Sequence, residues 1–266
     1  MSEITVSELN IYPVKSLAGI SLTASKVDLL GLAHDRQWMV VDENGRFMTQ
    51  RTHPQMALIS AWLNDDGLVL HTAGKADLQV VVPTGDERIA VKIWNDVVQA
   101  SPTDPDADWW FSELLGEPCQ LVFFPPEQCR QVDETYAQQG DHTTFSDGFP
   151  VLLISQASLD DLNARLETPV PMKRFRPNIV VSGTAPFAED EWNRVRIGDV
   201  EFRVVKPCSR CAVTTVDPLT GKVSGAEPLQ TLSTYRLQGS KIMFGQNLIP
   251  DGRGTLHLGD EVTLLA

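Results

Sequence analysis

The sequence predicts a mainly β fold of the α+β class, in which a β-rich N-terminal part is followed by a second β-rich part that carries a few helices. Three observations predict it. Short apolar or β-branched segments recur along the 266 residues, separated by turn-forming residues. Segments with helical periodicity are few. The run of short strands over residues 57–94 is typical of a twisted antiparallel sheet or a barrel.

The first half of the chain divides into short strands and one helix. The pair Asn44 and Gly45 predicts a hairpin turn between strands at 37–42 and 46–50, because Asn-Gly adopts positive φ at low cost. Residues 104–115 predict a helix with an acidic start, an apolar face and Gly116 as its end, and its two tryptophans are interpreted as core. Further strands are predicted at residues 4–12, 22–30, 57–63, 68–72, 78–82, 89–94 and 120–124.

The second half contains more irregular chain. Residues 127–140 are polar and aperiodic, which predicts a loop that flanks the functional site and joins two domains. One helix is predicted after Ser155 or Ser158, with leucines on one face, and another from Glu227 onward. Strands are predicted at 151–154, 178–181 and 212–216, with a hairpin over 195–205. The segment 243–248 is followed by a predicted closing hairpin about 259–260.

Composition and charge narrow the class of protein. The formal net charge of −13 argues against nucleic acid or an anionic membrane as a partner. No apolar run approaches the ~20 residues that cross a bilayer, and the N-terminus lacks the pattern of a signal peptide, so we expect a cytoplasmic protein. Four cysteines in a chain of this length do not form a disulfide scaffold.

The segment KPCSRCAVTTVDP (206–218) holds the most reactive residue types, Cys208 and Cys211 with Arg210 between them. A neighbouring guanidinium favours the thiolate, the form that binds metals or attacks. Three interpretations remain open on residue type and spacing alone. The pair is an inert buried pair, or it supplies a single thiolate to a soft metal, or it is half of a zinc site. The zinc site needs further soft ligands at metal spacing, and Cys119 and Cys129 lie far off in sequence without a C-x-x-C of their own.

Clusters of basic residues are conspicuous in a chain whose net charge is strongly negative. Lys173, Arg174 and Arg176 lie within four positions, and arginine forks match phosphate oxygens, so an anion site and a solvated basic turn both remain open there. Lys15 and Ser16 follow a predicted strand and a proline, and offer a cation and a hydroxyl. An isolated Lys-Ser pair is also typical of a surface turn.

Two further arginines flank the predicted hairpin of residues 37–50. Arg36 and Arg51 lie near its two feet, which places them on one rim. Surface ion pairs are the more common use of such arginines.

Several of these motifs occur together in the order typical of one family. The 206–218 segment, followed by DPLTG (217–221) and EPLQTLSTYR (227–236), resembles the signature of the MOSC domain, in the branch of the mitochondrial amidoxime-reducing components and their bacterial relatives. YPVKS (12–16), the DR-W and Q-R motifs and FRPN (175–178) extend the resemblance over nearly the whole chain. It implies an N-terminal MOSC-associated β domain at 1–120 and a MOSC β-barrel at 121–266.

The resemblance also implies a cofactor and its ligands. In this family the second cysteine of the pair coordinates molybdenum, which assigns Cys211 as metal ligand and catalytic residue. The pterin and phosphate of the molybdenum cofactor are assigned to Lys15, Ser16, Arg36, Arg51, Asp147, Arg176, Asn178 and Arg210.

The implied reaction is a two-electron reduction of N-hydroxylated compounds such as hydroxylamines, amidoximes and N-hydroxylated bases. No cysteine follows Cys211, so no iron–sulfur cluster is expected in this chain and electrons are expected from a separate flavoprotein reductase or iron–sulfur carrier. MOSC domains also end pyridoxal-phosphate-dependent cofactor sulfurases, so the alternative is a non-redox sulfur or cofactor carrier that uses Cys211. A third possibility is a cofactor-free interaction protein.

Overall fold

The chain forms mostly short strands, as the recurring apolar segments predict. The computed structural model describes residues 3–223 and 225–265, so the first two residues of the N-terminus discussed above lie outside it. The strands are β1 (Thr5–Ile11), β2 (Ile20–Leu22), β3 (Ala24–Asp28), β4 (Gly31–Leu32), β5 (Trp38–Asp42), β6 (Ser60–Asn64), β7 (Gly67–His71), β8 (Leu78–Val81), β9 (Ile89–Ile93), β10 (Asp96–Pro102), β11 (Cys119–Phe123), β12 (Val151–Ser155), β13 (Ile179–Ser182), β14 (Arg194–Ile197), β15 (Val200–Ser209), β16 (Leu237–Gln238), β17 (Lys241–Pro250), β18 (Gly254–His257) and β19 (Val262–Leu265).

Helices are short and few. The α-helices are α1 (Pro105–Leu115), α2 (Gln156–Asn163) and α3 (Leu229–Ser233), and single 3-10 turns occur at Pro54–Leu58, Met172–Arg174, Ala188–Glu191 and Ala212–Thr215. Helix α1 begins as its sequence predicts, because the Asp104 side chain accepts from the Asp106 N–H and Gly116 ends the helix at φ 80°. Ser155 caps α2 by accepting from the Ser158 N–H. Within the described residues no helix is both long and apolar enough to cross a bilayer.

A large sheet joins the two ends of the chain. Its order is β19-β14-β15-β17-β12-β13-β1-β2, with β16 paired to β17. Among the described strands of this sheet, β12 and β13 are the one parallel pair, with α2 in the connection between them. Leu153 packs into the cluster on one face of the sheet and Ile154 into the cluster on the other, as the alternation of a strand requires. The predicted division into residues 1–120 and 121–266 stays a prediction, and the pairing of β1 with β13 crosses it.

The barrel and the closing hairpin are corrections to the prediction. β18 pairs with β3 and β19 pairs with β14, so these two strands do not pair with each other. The turn between them instead bonds to β1, where the Val6 N–H donates to the Asp260 carbonyl at 2.9 Å and the Gly259 N–H donates to the Val6 carbonyl at 2.8 Å. Beside that turn, Thr5 of β1 forms an isolated antiparallel bridge with Glu261, the residue before β19. The sheet does not close into a barrel.

Smaller sheets complete the first half. One has the order β5-β11-β10-β9 and another β6-β7-β8, and α1 packs with both through a core that contains Phe111, Leu68 and Leu121. Trp110 belongs to this core, as predicted, whereas Trp109 is 65% exposed. The predicted return strand at 46–50 is wrong. After the Gly45 turn, Phe47 bridges to Val41 and the Met48 N–H donates to the Val40 carbonyl at 2.8 Å, but no strand forms before the turns that start at Gln50.

Candidate functional site

Cys211 stands where β15 ends and a turn begins. It directly precedes the 3-10 helix Ala212–Thr215, and the residue is exposed to solvent. The predicted strand at 212–216 is therefore wrong. The Thr214 hydroxyl donates to the Cys211 carbonyl at 3.1 Å and the Thr215 hydroxyl to the Ala212 carbonyl at 2.8 Å, and such local bonds compete with a sheet ladder. The tight turn leaves the sulfur accessible.

Each cysteine of the pair has its own guanidinium. Arg51 Nη1 lies 3.7 Å from Cys211 Sγ, and Arg210 Nη1 lies 3.0 Å from Cys208 Sγ. Arg210 also donates through Nη2 to the Phe175 carbonyl at 2.6 Å. The cation nearest to the Cys211 sulfur is thus supplied by a distant part of the chain and not by its sequence neighbour.

Accessibility and ligand spacing decide between the three interpretations of the pair. Cys211 is exposed and Cys208 half-buried, so they are not an inert buried pair. In the part of the chain that the structure describes, no three His, Cys, Asp or Glu side chains cluster as a metal site. Cys119 instead packs in the core of the first half. The described residues thus offer no ligand set for zinc in this region, and the interpretation of Cys211 as a single thiolate ligand stays a prediction.

Arg36 and Arg176 both stack on the ring of Tyr12. The guanidinium carbons of Arg36 and Arg176 lie 4.4 and 4.1 Å from the Tyr12 ring centre. Both residues have left-handed backbones, with φ of 48° and 56°, as does Ser16 at 68°. Three non-glycine residues in this sparsely populated region at one site indicate a backbone shaped by function rather than by local preference.

Electrostatics separate the two arginines. Burial opposes the charge of Arg36, but Asp35, whose Oδ2 lies 2.5 Å from Arg36 Nη1, raises the pKa of Arg36. Burial and the charge of Arg36 lower the pKa of Arg176 to about 10. Arg176 donates through Nη1 to the Leu17 carbonyl at 2.6 Å, while its buried Nη2 has no partner.

The Asn178 side chain links Arg36 to the neighbouring backbone. Its side-chain Oδ1 accepts from Arg36 Nη1 at 3.0 Å and from the Leu152 N–H at 3.1 Å, and its Nδ2 donates to the Asn10 carbonyl at 3.2 Å. The amide is fully buried and its oxygen and nitrogen both serve protein groups. Its observed contacts position Arg36.

Lys15 and Asp147 form an ion pair that lines the same cavity as Arg51. Lys15 Nζ donates to the Phe145 carbonyl at 2.8 Å and to Asp147 Oδ1 at 2.5 Å. Burial, with nearby guanidiniums, lowers the pKa of Lys15 to about 8, and Asp147 only partly offsets this. Desolvation would raise the pKa of Asp147, but Lys15, Arg51 and Arg36 hold that pKa well below its usual range.

Arg130 was not predicted, although it shapes the site. It is buried, and it donates to Asp96 Oδ2 at 2.7 Å and to the carbonyls of Thr144 and Ser146 at 3.0 and 2.6 Å. It thereby fixes the loop that carries Asp147. Its neighbours in sequence are polar and aperiodic, so no local pattern marks it as buried.

The basic cluster at 173–176 divides by position. Arg176 lines the cavity, whereas Arg174 is buried behind it and donates to Asp217 Oδ2 at 3.1 Å and to the Thr215 carbonyl at 3.2 Å. Lys173 is exposed to solvent. Arg174 therefore holds the turn that follows Cys211, and only Arg176 can meet an anion in the cavity.

All nine predicted site residues line one cavity of about 730 Å³. The described side chains that line it include eight cations and three carboxylates, in a chain whose formal net charge is −13. Eight other charged or aromatic lining residues were not among the predicted site residues, namely Trp94, Asp96, Arg130, Asp133, Phe149, Phe175, Lys206 and Lys241. A positive cavity with an accessible thiol can bind a soft metal and a phosphate together.

Comparison with known proteins places this geometry in a family. Residues 3–118 match the MOSC N-terminal beta barrel domain and residues 140–263 the MOSC domain. The chain is 39% identical to mitochondrial amidoxime-reducing component 1 of Mus musculus, over 98% of this chain and 82% of the relative, and 38% identical to that of Homo sapiens, over 98% and 83%. It is 31% identical to a molybdenum cofactor sulfurase of Oryza sativa subsp. japonica, over 92% of this chain and 32% of that protein.

Proposed function

Because the chain belongs to the MOSC proteins, in the family of the mitochondrial amidoxime-reducing components, we propose that it is a molybdenum-cofactor-dependent oxidoreductase that reduces N-hydroxylated compounds. The observation that carries this proposal is the accessible Cys211 thiol in a cavity lined by eight cations. Names of relatives support the reaction class, and the cavity supports the cofactor.

The residues present fit a phosphorylated, metal-bearing pterin. Arg176 Nη2, Arg210 Nε and Ser146 Oγ are buried polar atoms without a partner, and their residues all line the cavity. Unpaired buried donors are costly unless a ligand satisfies them. The absence of a three-residue metal cluster among the described residues suits a metal that brings its other ligands with it.

The chain's own residues then have separate tasks. Cys211 would contribute one thiolate to the metal, and Arg51 Nη1, 3.7 Å from that sulfur, would face the same ligand atom with positive charge. Lys15, Arg36 and Arg176 would surround the phosphate with positive charge, and Asn178 fixes Arg36. When bound, the molybdenum cofactor would supply the two-electron redox chemistry of the reduction.

The overall balance sets what partners must provide. An N-hydroxylated substrate takes up two electrons and two protons, its N–O bond breaks, and an amine and water leave. We propose that a separate flavoprotein reductase or iron–sulfur carrier supplies the electrons. The cytoplasmic location and the association with pyridoxal phosphate stay predictions.

The test compares two exposed thiols. Cys211→Ser is expected to lose stoichiometric molybdenum and the reduction of benzamidoxime with an artificial donor, whereas Cys129→Ser, whose thiol is exposed but does not line the cavity, keeps both. Equal molybdenum content and equal turnover in wild type and Cys211→Ser would refute the proposal.

The similarity to a molybdenum cofactor sulfurase favours one second candidate, a sulfur or cofactor carrier. On this alternative Cys211 holds a persulfide or cofactor in transit. Alkylation of the purified protein followed by mass spectrometry separates the two. A persulfide on Cys211 in protein without molybdenum supports the carrier, and an unmodified thiol in molybdenum-loaded protein supports the enzyme.

A further inference from the structure

We propose that Trp94 is a stacking surface for flat aromatic substrates and sets the preference of the site for them; this inference rests on the proposed function. Trp94 lines the same cavity as Cys211 and remains 51% exposed. Trp62 and Trp109 are exposed to a similar degree, at 49% and 65%, so exposure alone does not distinguish Trp94. Its position in the cavity and its backbone conformation do.

The backbone of Trp94 is unfavourable for a bulky residue. It is the first of the two residues between Ile93 and Asp96, which pair across the β9–β10 hairpin. Its φ is 56°, and two-residue hairpins that need positive φ at the first position prefer glycine there. A tryptophan in a glycine position indicates that the ring serves a purpose other than the turn.

Neighbouring side chains hold the ring in place. Trp94 Nε1 donates to Asp147 Oδ1 at 3.3 Å, and the Phe47 ring lies 5.1 Å away between centroids. The Arg51 guanidinium carbon lies 4.7 Å from the Trp94 ring centre. The ring is thus fixed before any ligand arrives, and a fixed partner loses little entropy on binding.

The same arginine connects the ring to the reacting end of the cavity. Arg51 contacts Trp94 on one side and Cys211 Sγ, at 3.7 Å, on the other. A flat substrate that stacks on the exposed part of the Trp94 ring would therefore be separated from the Cys211 thiol by the Arg51 side chain alone. Aryl amidoximes and N-hydroxylated purines have the required flat π-face, and small aliphatic amidoximes lack it.

Two variants of the cofactor-loaded enzyme test the assignment. Trp94→Gly removes the ring and suits the backbone, so the protein is expected to fold, and Trp94→Phe keeps a ring without the N–H. Stacking of a base on an aromatic side chain predicts that Trp94→Gly lowers kcat/KM for hydroxylaminopurine and benzamidoxime by about 5- to 150-fold. Trp94→Phe is expected to retain most of it, and acetamidoxime is expected to react equally with all three proteins.

The control is a tryptophan of similar exposure outside the cavity. Trp109 is 65% exposed and lies under Lys75, at 4.9 Å, so Trp109→Ala is expected to leave both substrate classes unchanged. Equal losses for aromatic and aliphatic substrates in Trp94→Gly, or no loss for either, would overturn the inference.

A binding measurement keeps this inference separate from the reaction itself. The dissociation constant of hydroxylaminopurine is measured without an electron donor, for wild type and Trp94→Gly. Weaker binding in Trp94→Gly supports the stacking surface even if wild type fails to reduce the compound, which would refute only the proposed function. Unchanged binding refutes the stacking surface even if wild type is an active reductase.

Discussion

Replacement of Lys15 by methionine is expected to change how the stability of the cofactor-free protein depends on pH. Lys15 Nζ is buried between the Phe145 carbonyl and Asp147. Burial lowers the pKa of Lys15 from 10.5 to about 8. Between these pH values the unfolded chain holds a proton that the folded chain has released, so the stability of the wild type rises with pH across this window.

The magnitude follows from the two pKa values. Each pKa unit corresponds to about 1.4 kcal/mol. The difference between the pKa of Lys15 in the unfolded and the folded protein therefore corresponds to about 3 kcal/mol of folding free energy. Methionine has nearly the length of lysine and does not titrate, so its contribution stays constant. The free energy of unfolding of the wild type, minus that of Lys15→Met, is therefore expected to increase by about 3 kcal/mol from pH 8 to pH 10.5.

Urea unfolding of both proteins at a series of pH values measures this difference, because other titrating groups contribute equally to both and cancel. Lys26→Met, at an exposed lysine outside the cavity, controls for the loss of a lysine as such. A difference in unfolding free energy between wild type and Lys15→Met that stays constant from pH 8 to pH 10.5 would refute the explanation that burial destabilises the charged form of Lys15.

Three further outcomes are expected. Asp147→Asn removes a charge that raises the pKa of Lys15, so the pKa of Lys15 is expected to fall below its wild-type value of about 8, as an NMR titration of the cofactor-free protein would detect. Arg174→Met is expected to cost about 2 kcal/mol of stability and to lower molybdenum content, while Lys173→Met, at an exposed neighbour, changes neither. Gly245→Ala places a Cβ 2.6 Å from a β12 side chain at φ 84° and is expected to lose about 1–3 kcal/mol in urea unfolding, whereas Gly239→Ala, at φ 60° with open space around it, loses less.

Local patterns in the sequence identified most elements and the polar residues that meet in the cavity. Helix α1 could be placed from Asp104 and Gly116 because caps are local. The nine site residues could be named because their motifs resemble those of a family, and the structure brings them to one cavity. Their individual roles stay predictions.

What the sequence did not predict depends on tertiary contacts. The strand expected after Cys211 became a 3-10 turn, because threonine hydroxyls bond to nearby carbonyls. The pairing of β18 with β3 cannot be read from a turn at 259–260. Arg130 and Trp94 escaped notice for the same reason: a buried arginine in a polar segment and a tryptophan in a glycine position become visible only when their partners are known.

The pairing of β1 with β13 has a consequence for synthesis on the ribosome. Thr5 is matched with Ser182, so this ladder closes a loop of more than 170 residues and must form late. Lys15 is made among the first residues, yet Arg176 and Cys211 are made when about two thirds or more of the chain is complete. A nascent chain that ends before Arg176 has Lys15, Arg36 and Arg51 but neither Arg176 nor Cys211. On the proposed function, the cofactor is therefore expected to bind only after nearly the whole chain has been made and folded.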